Sequence, residues 1–182
     1  LSDSSMLEGL ESSKHIIVWG KNVHTSSPHT LPFLKRAREK GAELVSIDPV
    51  FHQTSKMCDL AVQPRPGEDF ALAMATAQAL FQSGRVTPDN TTRCSGVDDF
   101  RTLAHRHSIS EWCASADVDP TVAMDLAARL SDGPTSILIG WGLGRRMGGG
   151  AAVRAIDALA AISGNMGVLG GGASYYFKRN GA

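Results

Sequence analysis

Four short segments of the chain carry residue types suited to gripping a phosphorylated ligand. In residues 20–28, Gly-Lys-Asn-Val-His-Thr-Ser-Ser-Pro, the short polar side chains of Asn22, Thr25, Ser26 and Ser27 follow Gly20. At a helix start, such groups and the free backbone N–H groups around them favour an anion. The same residues serve equally as turn formers and helix caps, worth about 1 kcal/mol. Lys21 either meets a phosphate or stands as a solvated charge. The second segment is Asp48-Pro49, where a carboxylate closes an apolar run. Such a carboxylate accepts from ribose hydroxyls in dinucleotide sites, or else begins a turn. Thr54 offers a hydroxyl a few residues on.

The third segment, Pro66-Gly67-Glu68-Asp69, puts two acids at the start of a helical stretch. The helix dipole alone favours them there by about 0.3–1 kcal/mol each. A fixed carboxylate at that place could also accept from the N1–H and N2–H₂ edge of guanine, a paired donor edge that adenine lacks. The fourth, residues 140–150, reads Gly-Trp-Gly-Leu-Gly-Arg-Arg-Met-Gly-Gly-Gly. Glycines between a strand and a helix let the backbone approach a diphosphate, and Arg145 and Arg146 have the fork geometry for phosphate. The spacing is near the G-x-G-x-x-G dinucleotide pattern without matching it.

No catalytic constellation accompanies these segments. His105 and His107 sit two apart in a helical stretch and point to different sides. His24 and His29 lack an acidic or cysteine neighbour, and no nucleophile elbow, Walker loop or H-E-x-x-H motif occurs. Cys58, Cys94 and Cys113 are far apart with no C-x-x-C, so the segment encodes neither a zinc site nor an iron–sulfur cluster, and the thiols read as small apolar side chains.

The elements that must position these segments follow from the periodicity. Residues 15–20 and 43–48 read as buried strands around a helix at 31–40 that ends at Gly41, the pattern of a parallel βαβ unit. Residues 60–63 suggest a short third strand, and 68–83 an alanine-rich helix able to pack closely on a sheet. Within 85–134 three helices are expected, at 97–107, 109–116 and 120–130, as a helical insertion between two halves of one sheet. A strand at 136–141 and a helix at 151–162 complete the pattern, with 164–172 left as a glycine-rich loop. The expected fold is therefore a doubly wound, Rossmann-like α/β domain covering residues 1–182, with its ligand at the strand carboxyl ends. The phrases Ile16-Ile-Val-Trp-Gly20 and Leu138-Ile-Gly-Trp-Gly142 echo one another, through either related halves or coincidence.

Composition narrows the partners. With 18 basic and 18 acidic side chains in 182 residues the formal charge is zero, so no long-range field for nucleic acid is expected. No apolar run approaches the roughly 20 residues of a membrane span, so no direct membrane insertion is expected. The start at Leu1 has neither an initiator methionine nor signal-peptide character, which suggests a processed chain or one that begins mid-protein and leaves the compartment open.

Taken in order, several phrases resemble the large central domain of the dimethyl-sulfoxide-reductase superfamily of molybdopterin oxidoreductases, which includes formate dehydrogenases, nitrate reductases and polysulfide reductases. They are Ile17-Val-Trp-Gly-Lys-Asn22, Val45-Ser-Ile-Asp-Pro49, Thr54, Pro64-Arg-Pro-Gly-Glu-Asp69-Phe-Ala-Leu72, Gly140-Trp-Gly-Leu-Gly144, and Ile162-Ser-Gly-Asn-Met-Gly167 followed by Gly170-Gly-Gly172. The resemblance implies a domain that binds molybdopterin guanine dinucleotide, within a parent oxidoreductase carrying molybdenum or tungsten. It implies that Asn22, Thr25 and Ser26 meet the diphosphate and ribose, that Asp48 holds the guanosine, and that Gly20, Lys21, Pro49 and Thr54 belong to the same cofactor-binding set. Gly67, Glu68 and Asp69 would reach the guanine, and Gly142, Leu143 and Gly144 would pass close to the same dinucleotide. Val23, Val50 and Glu68 stand where many relatives have proline, arginine and threonine.

In that family the residue that binds the metal lies upstream of the first strand, often behind an iron–sulfur domain. The resemblance thus implies that a 4Fe–4S cluster, where there is one, belongs to the parent and not to this segment. It implies partners in the remaining domains of the parent and in electron-transfer subunits, and no turnover by this segment alone. Two other readings of the same residues are a non-redox nucleotide-binding module, like the central domain of thiamine-diphosphate enzymes, and a nicotinamide-binding dehydrogenase domain. The irregular glycine spacing at 140–150 argues against the latter.

Overall fold

A computed structural model of the chain describes residues 7–86, 88–92 and 94–175. Five parallel strands form one sheet: β1 (His15–Trp19), β2 (Glu43–Ile47), β3 (Leu60–Val62), β4 (Thr135–Ile139) and β5 (Gly172–Ser174), in the order β3-β2-β1-β4-β5. The chain winds outward from β1 to β3, then crosses back to place β4 on the other side of β1. Strand order therefore reverses between β1 and β4, and loops leaving their carboxyl ends diverge to open a crevice there.

Nine α-helices occur among the described residues: α1 (Val23–Ser26), α2 (Leu31–Glu39), α3 (Gln53–Met57), α4 (Asp69–Gln82), α5 (Pro88–Thr91), α6 (Val97–Ala104), α7 (Ile109–Ala116), α8 (Pro120–Ser131) and α9 (Gly149–Ile162). Strand alternation divides β1 between two cores. Ile16 and Val18 face Leu34 and Ala37 of α2 together with Leu10, whereas Ile17 and Trp19 face α4, α8 and α9. Eleven of the fourteen residues of α4 are buried, so this helix has no solvent stripe and needs none. Its alanines let α6, α7, α8 and α9 close around it.

Several expectations needed correction in detail. The strand expected at 136–141 is β4 at Thr135–Ile139, and α6 stops at Ala104 instead of reaching 107. Helix α9 begins at Gly149, two residues early, and the four-helix stretch α5–α8 falls within 85–134. The Trp-Gly echo joins non-equivalent positions. Trp19 pairs in register with Ile139, not with Trp141, so Trp19 is buried in the core while Trp141 lies past the strand end and is 52% exposed. The two strand ends nevertheless share one edge of the sheet.

The glycine-rich stretch 164–172 is loop as far as Gly171, leads into β5 at Gly172, and sits at the opposite edge. Asn165 Oδ1 accepts from Thr135 N at 2.8 Å, and its Nδ2 donates to Leu130 O at 2.7 Å and Ser163 Oγ at 2.8 Å. One buried amide thereby joins the end of α8, the start of β4 and the end of α9. Gly170 then passes against the backbone of Ser12 and Ser13 where a Cβ would collide, and its carbonyl accepts from Ser13 Oγ and Ser136 Oγ. The Ser-Gly-Asn-Met-Gly phrase is thus a packing device at the amino-terminal edge.

Candidate functional site

The crevice between the carboxyl ends of β1 and β4 is a cleft of about 720 Å³, a size suited to a small-molecule ligand. Its walls are the 20–29 loop, Asp48, residues 140–142 and Tyr175. Gly140 N donates to Trp19 O at 2.8 Å, and a Cβ on Gly140 would fall on the carbonyl oxygen of Gly20. Only glycine allows the two strand ends to lie this close. The cleft floor is therefore backbone.

Of the residues singled out in the sequence, Gly20, Lys21, Asn22, Thr25, Ser26, Asp48 and Gly142 line this one cleft. Lys21 is largely buried there, and burial lowers the pKa of its ammonium below the usual lysine range. No described carboxylate forms an ion pair with it. A desolvated cation without a counter-charge suits an anionic ligand. Asn22 precedes α1, but its side chain makes no capping bond; its Oδ1 instead accepts from Thr54 Oγ1 at 3.2 Å.

Thr54 itself lies outside the cleft lining. It is fully buried, and its Oγ1 takes the His24 N–H at 3.3 Å and meets His24 Nδ1 at 3.0 Å. It holds the 20–28 loop in shape from behind. Pro49 is likewise behind the rim, with its carbonyl accepting from Gln63 Nε2 at 3.2 Å. One oxygen of Asp48 is held and the other is approached: Oδ1 accepts from Val50 N at 2.9 Å, and Oδ2 lies 3.3 Å from His52 Nε2 without hydrogen-bond alignment.

The acidic turn sits differently from its sequence appearance. Gly67 is exposed, Glu68 half-buried and Asp69 buried, and none of the three lines the cleft. Asp69 is only 5% exposed, and Trp19 Nε1 donates to its Oδ1 at 2.8 Å. Burial pushes the Asp69 carboxyl above the usual range, with the Trp19 bond, its own backbone N–H and the Arg146 charge acting against that and the Asp48 charge adding to it. Asp69, Asp48 and Arg146 are thus within electrostatic reach of one another at the same end of the sheet. Leu143 is buried beneath Gly20, and Gly144 is exposed beyond the lining.

Four contributors are not among the site residues singled out from the sequence. Trp141 and Tyr175 line the cleft, with Trp141 Nε1 donating to Tyr175 O at 2.9 Å. His29 also lines it, and His52 braces Asp48. Trp141 carried a signal in its position just past an apolar strand; the others had none, because their places depend on the short helix α3 and on the return of β5. Among the described residues no group of three or more His, Cys, Asp or Glu is arranged to hold a metal ion, and no helix is long and apolar enough to cross a membrane.

Comparison with known proteins gives the class. Residues 2–182 match the molybdopterin oxidoreductase family, and the chain belongs to that family, within the dimethyl-sulfoxide-reductase superfamily. It is 37% identical over 164 residues to the "Probable oxidoreductase YyaE" of Bacillus subtilis, covering 90% of this chain and 25% of that protein. It is 31% identical over 152 residues to the assimilatory nitrate reductase of Haloferax mediterranei, covering 83% of this chain and 21% of that protein. The fold matches acetylene hydratase from Pelobacter acetylenicus with a TM-score of 0.76 at 17% identity, over 88% of this chain and 24% of that one. The chain therefore spans about a quarter of the length of these relatives.

Proposed function

We propose that this chain holds the guanosine diphosphate end of molybdopterin guanine dinucleotide in the β1/β4 cleft of a larger molybdenum or tungsten oxidoreductase. The observation that carries this reading is the meeting of Lys21, a desolvated cation without a carboxylate partner among the described residues, with the side-chain-free floor at Gly20 and Gly140. A diphosphate supplies the missing negative charge and needs close backbone approach. The polar groups of Asn22, Thr25 and Ser26 line the same wall, and Asp48 stands at its far side as an acceptor for ribose hydroxyls.

Under this proposal each residue binds and orients. Thr54 keeps Asn22 turned along the wall, and Trp19 fixes one oxygen of Asp69; the other, outside the cleft lining but at the same end of the sheet as Asp48, is left with Glu68 for the donor edge of guanine reaching beyond the cleft. Gly67 turns the chain into that position, and Gly142 to Gly144 carry backbone past the ligand over buried Leu143. When bound, the cofactor's metal centre supplies the redox chemistry; these residues supply placement and exclusion of water. The remaining domains of the parent would complete the enclosure, with electron-transfer subunits as further partners.

The test uses the complete polypeptide that contains this chain. Acid treatment of the purified protein should release GMP, and Lys21→Glu should lower the GMP recovered per polypeptide at least about fivefold, since one cation–phosphate contact becomes a repulsion. Release of AMP in place of GMP, or undiminished GMP from the Lys21→Glu protein, would refute the proposal.

A further inference from the structure

His52 lies outside the cleft, yet its contacts give it a place in the site. It precedes α3, where its Nδ1 accepts from the Ser55 N–H at 3.4 Å while Ser55 Oγ accepts from the His52 N–H at 3.4 Å, a reciprocal cap. A backbone N–H can only donate, so Nδ1 is the lone-pair nitrogen, and the proton of the neutral ring is assigned by this network to Nε2. That nitrogen is buried and, among the described residues, has no neighbour to pair with other than Asp48 Oδ2 at 3.3 Å, an approach without hydrogen-bond alignment.

The helix that His52 caps is itself tied to the sheet, because Ser55 Oγ meets Ser46 Oγ of β2 at 3.1 Å. Position 52 is therefore fixed on one side by β2 and faces Asp48 on the other. With Val50 N–H on Oδ1 and His52 on Oδ2, the carboxylate of Asp48 is restrained in rotation. We infer that His52 is a positioning residue, which orients Asp48 so that it discriminates a ribose diol from a sugar without hydroxyls. The inference rests on the proposal that the cleft takes a guanosine nucleotide. An acceptor already turned to its ligand loses less freedom on binding, so the effect appears in ribose selectivity and not in phosphate affinity.

The cap and the orienting contact can be separated by substitution. Asparagine is among the best helix caps but is too short to serve both α3 and Asp48. Glutamine reaches further and carries an N–H donor. The complete polypeptide, prepared free of cofactor, is titrated with GDP and with 2′,3′-dideoxy-GDP, and the melting temperature of each variant is recorded. The wild type should favour GDP about tenfold, the value of one net hydrogen bond to a charged acceptor. His52→Asn should reduce that ratio to within about twofold of unity while binding the dideoxy nucleotide as before, at an unchanged melting temperature, and His52→Gln should retain most of the ratio. An unchanged ratio in His52→Asn overturns the inference and leaves the cleft assignment standing. So does equal weakening of both nucleotides with a lowered melting temperature, since His52 would then only cap α3. Failure of the wild type to bind either nucleotide would overturn both.

Discussion

Trp19 Nε1 donates a 2.8 Å hydrogen bond to Asp69 Oδ1, tying the last residue of β1 to the first turn of α4 across the end of the sheet. The bond satisfies an indole N–H that would otherwise be buried unpaired, and it holds an acid where burial disfavours its charge. Site and core meet in this pair.

A pH-dependent stability follows from it. Burial raises the Asp69 pKa above its unfolded value, so the folded state binds that proton more tightly. The associated stability is fully present below the ordinary aspartate range, near pH 4 or lower, and is lost as pH rises through the folded value. Asp69→Asn keeps an oxygen for Trp19 and carries no charge. Its melting temperature should match wild type at acidic pH and exceed it at pH 7–8, measured on the complete polypeptide. A lower value at neutral pH would show that the carboxylate is satisfied in its charged form.

The glycines of the fourth segment should separate into structural and ligand-facing ones. Gly140→Ala places a Cβ on the Gly20 carbonyl oxygen and should cost about 3 kcal/mol, seen as loss of soluble protein or a large fall in denaturation midpoint. Nothing lies within 4 Å of a Cβ on Gly142, so Gly142→Ala should change stability by no more than about 0.5 kcal/mol while narrowing the cleft. Equal tolerance of both substitutions would contradict the close approach of β1 and β4.

Asn165 makes three hydrogen bonds from a buried position. Asn165→Ala should destabilise by about 2–3 kcal/mol, because the Thr135 N–H and Leu130 C=O are left unpaired. Hydrogen exchange of the Thr135 amide is the sensitive readout, with faster exchange expected there. Exchange at the wild-type rate would mean that the amide is protected without Asn165.

Much of this arrangement was legible in the sequence, for identifiable reasons. Short stretches of mostly apolar residues ending in glycine or Asp-Pro mark β1, β2 and β4, since parallel strands are buried on both faces. The helical stretches read at 109–116 and 120–130 form as α7 and α8. β5 was not legible, because Gly172, Ala173 and Ser174 lack the β-branched side chains that announce a strand; its place is set by pairing with Ser136, Ile137 and Leu138. In the site, residues near strand ends were found from their positions. Thr54 was singled out as a ligand contact, but it lies outside the cleft lining, and its role as a buried brace depends on a 32-residue separation from Asn22 that no local pattern encodes. His52 was missed for the same reason.

Burial pushes the Cys58 thiol up to about 12 and the Cys113 thiol up to about 11, so both should resist alkylation at pH 8 in the folded protein and react only after denaturation. Rapid labelling of either under native conditions would contradict their placement against α3 and within the α4, α7 and α8 packing.

Base selectivity is the most direct measurement on the cleft. The cofactor-free complete polypeptide should bind GDP at least about tenfold more tightly than ADP or NADH, the scale set by one unpaired buried hydrogen-bonding group, and Asp69→Asn should abolish that preference. Equal affinity for the three nucleotides in the wild type, or a preference that survives Asp69→Asn, would contradict the assignment of this cleft to a guanosine diphosphate.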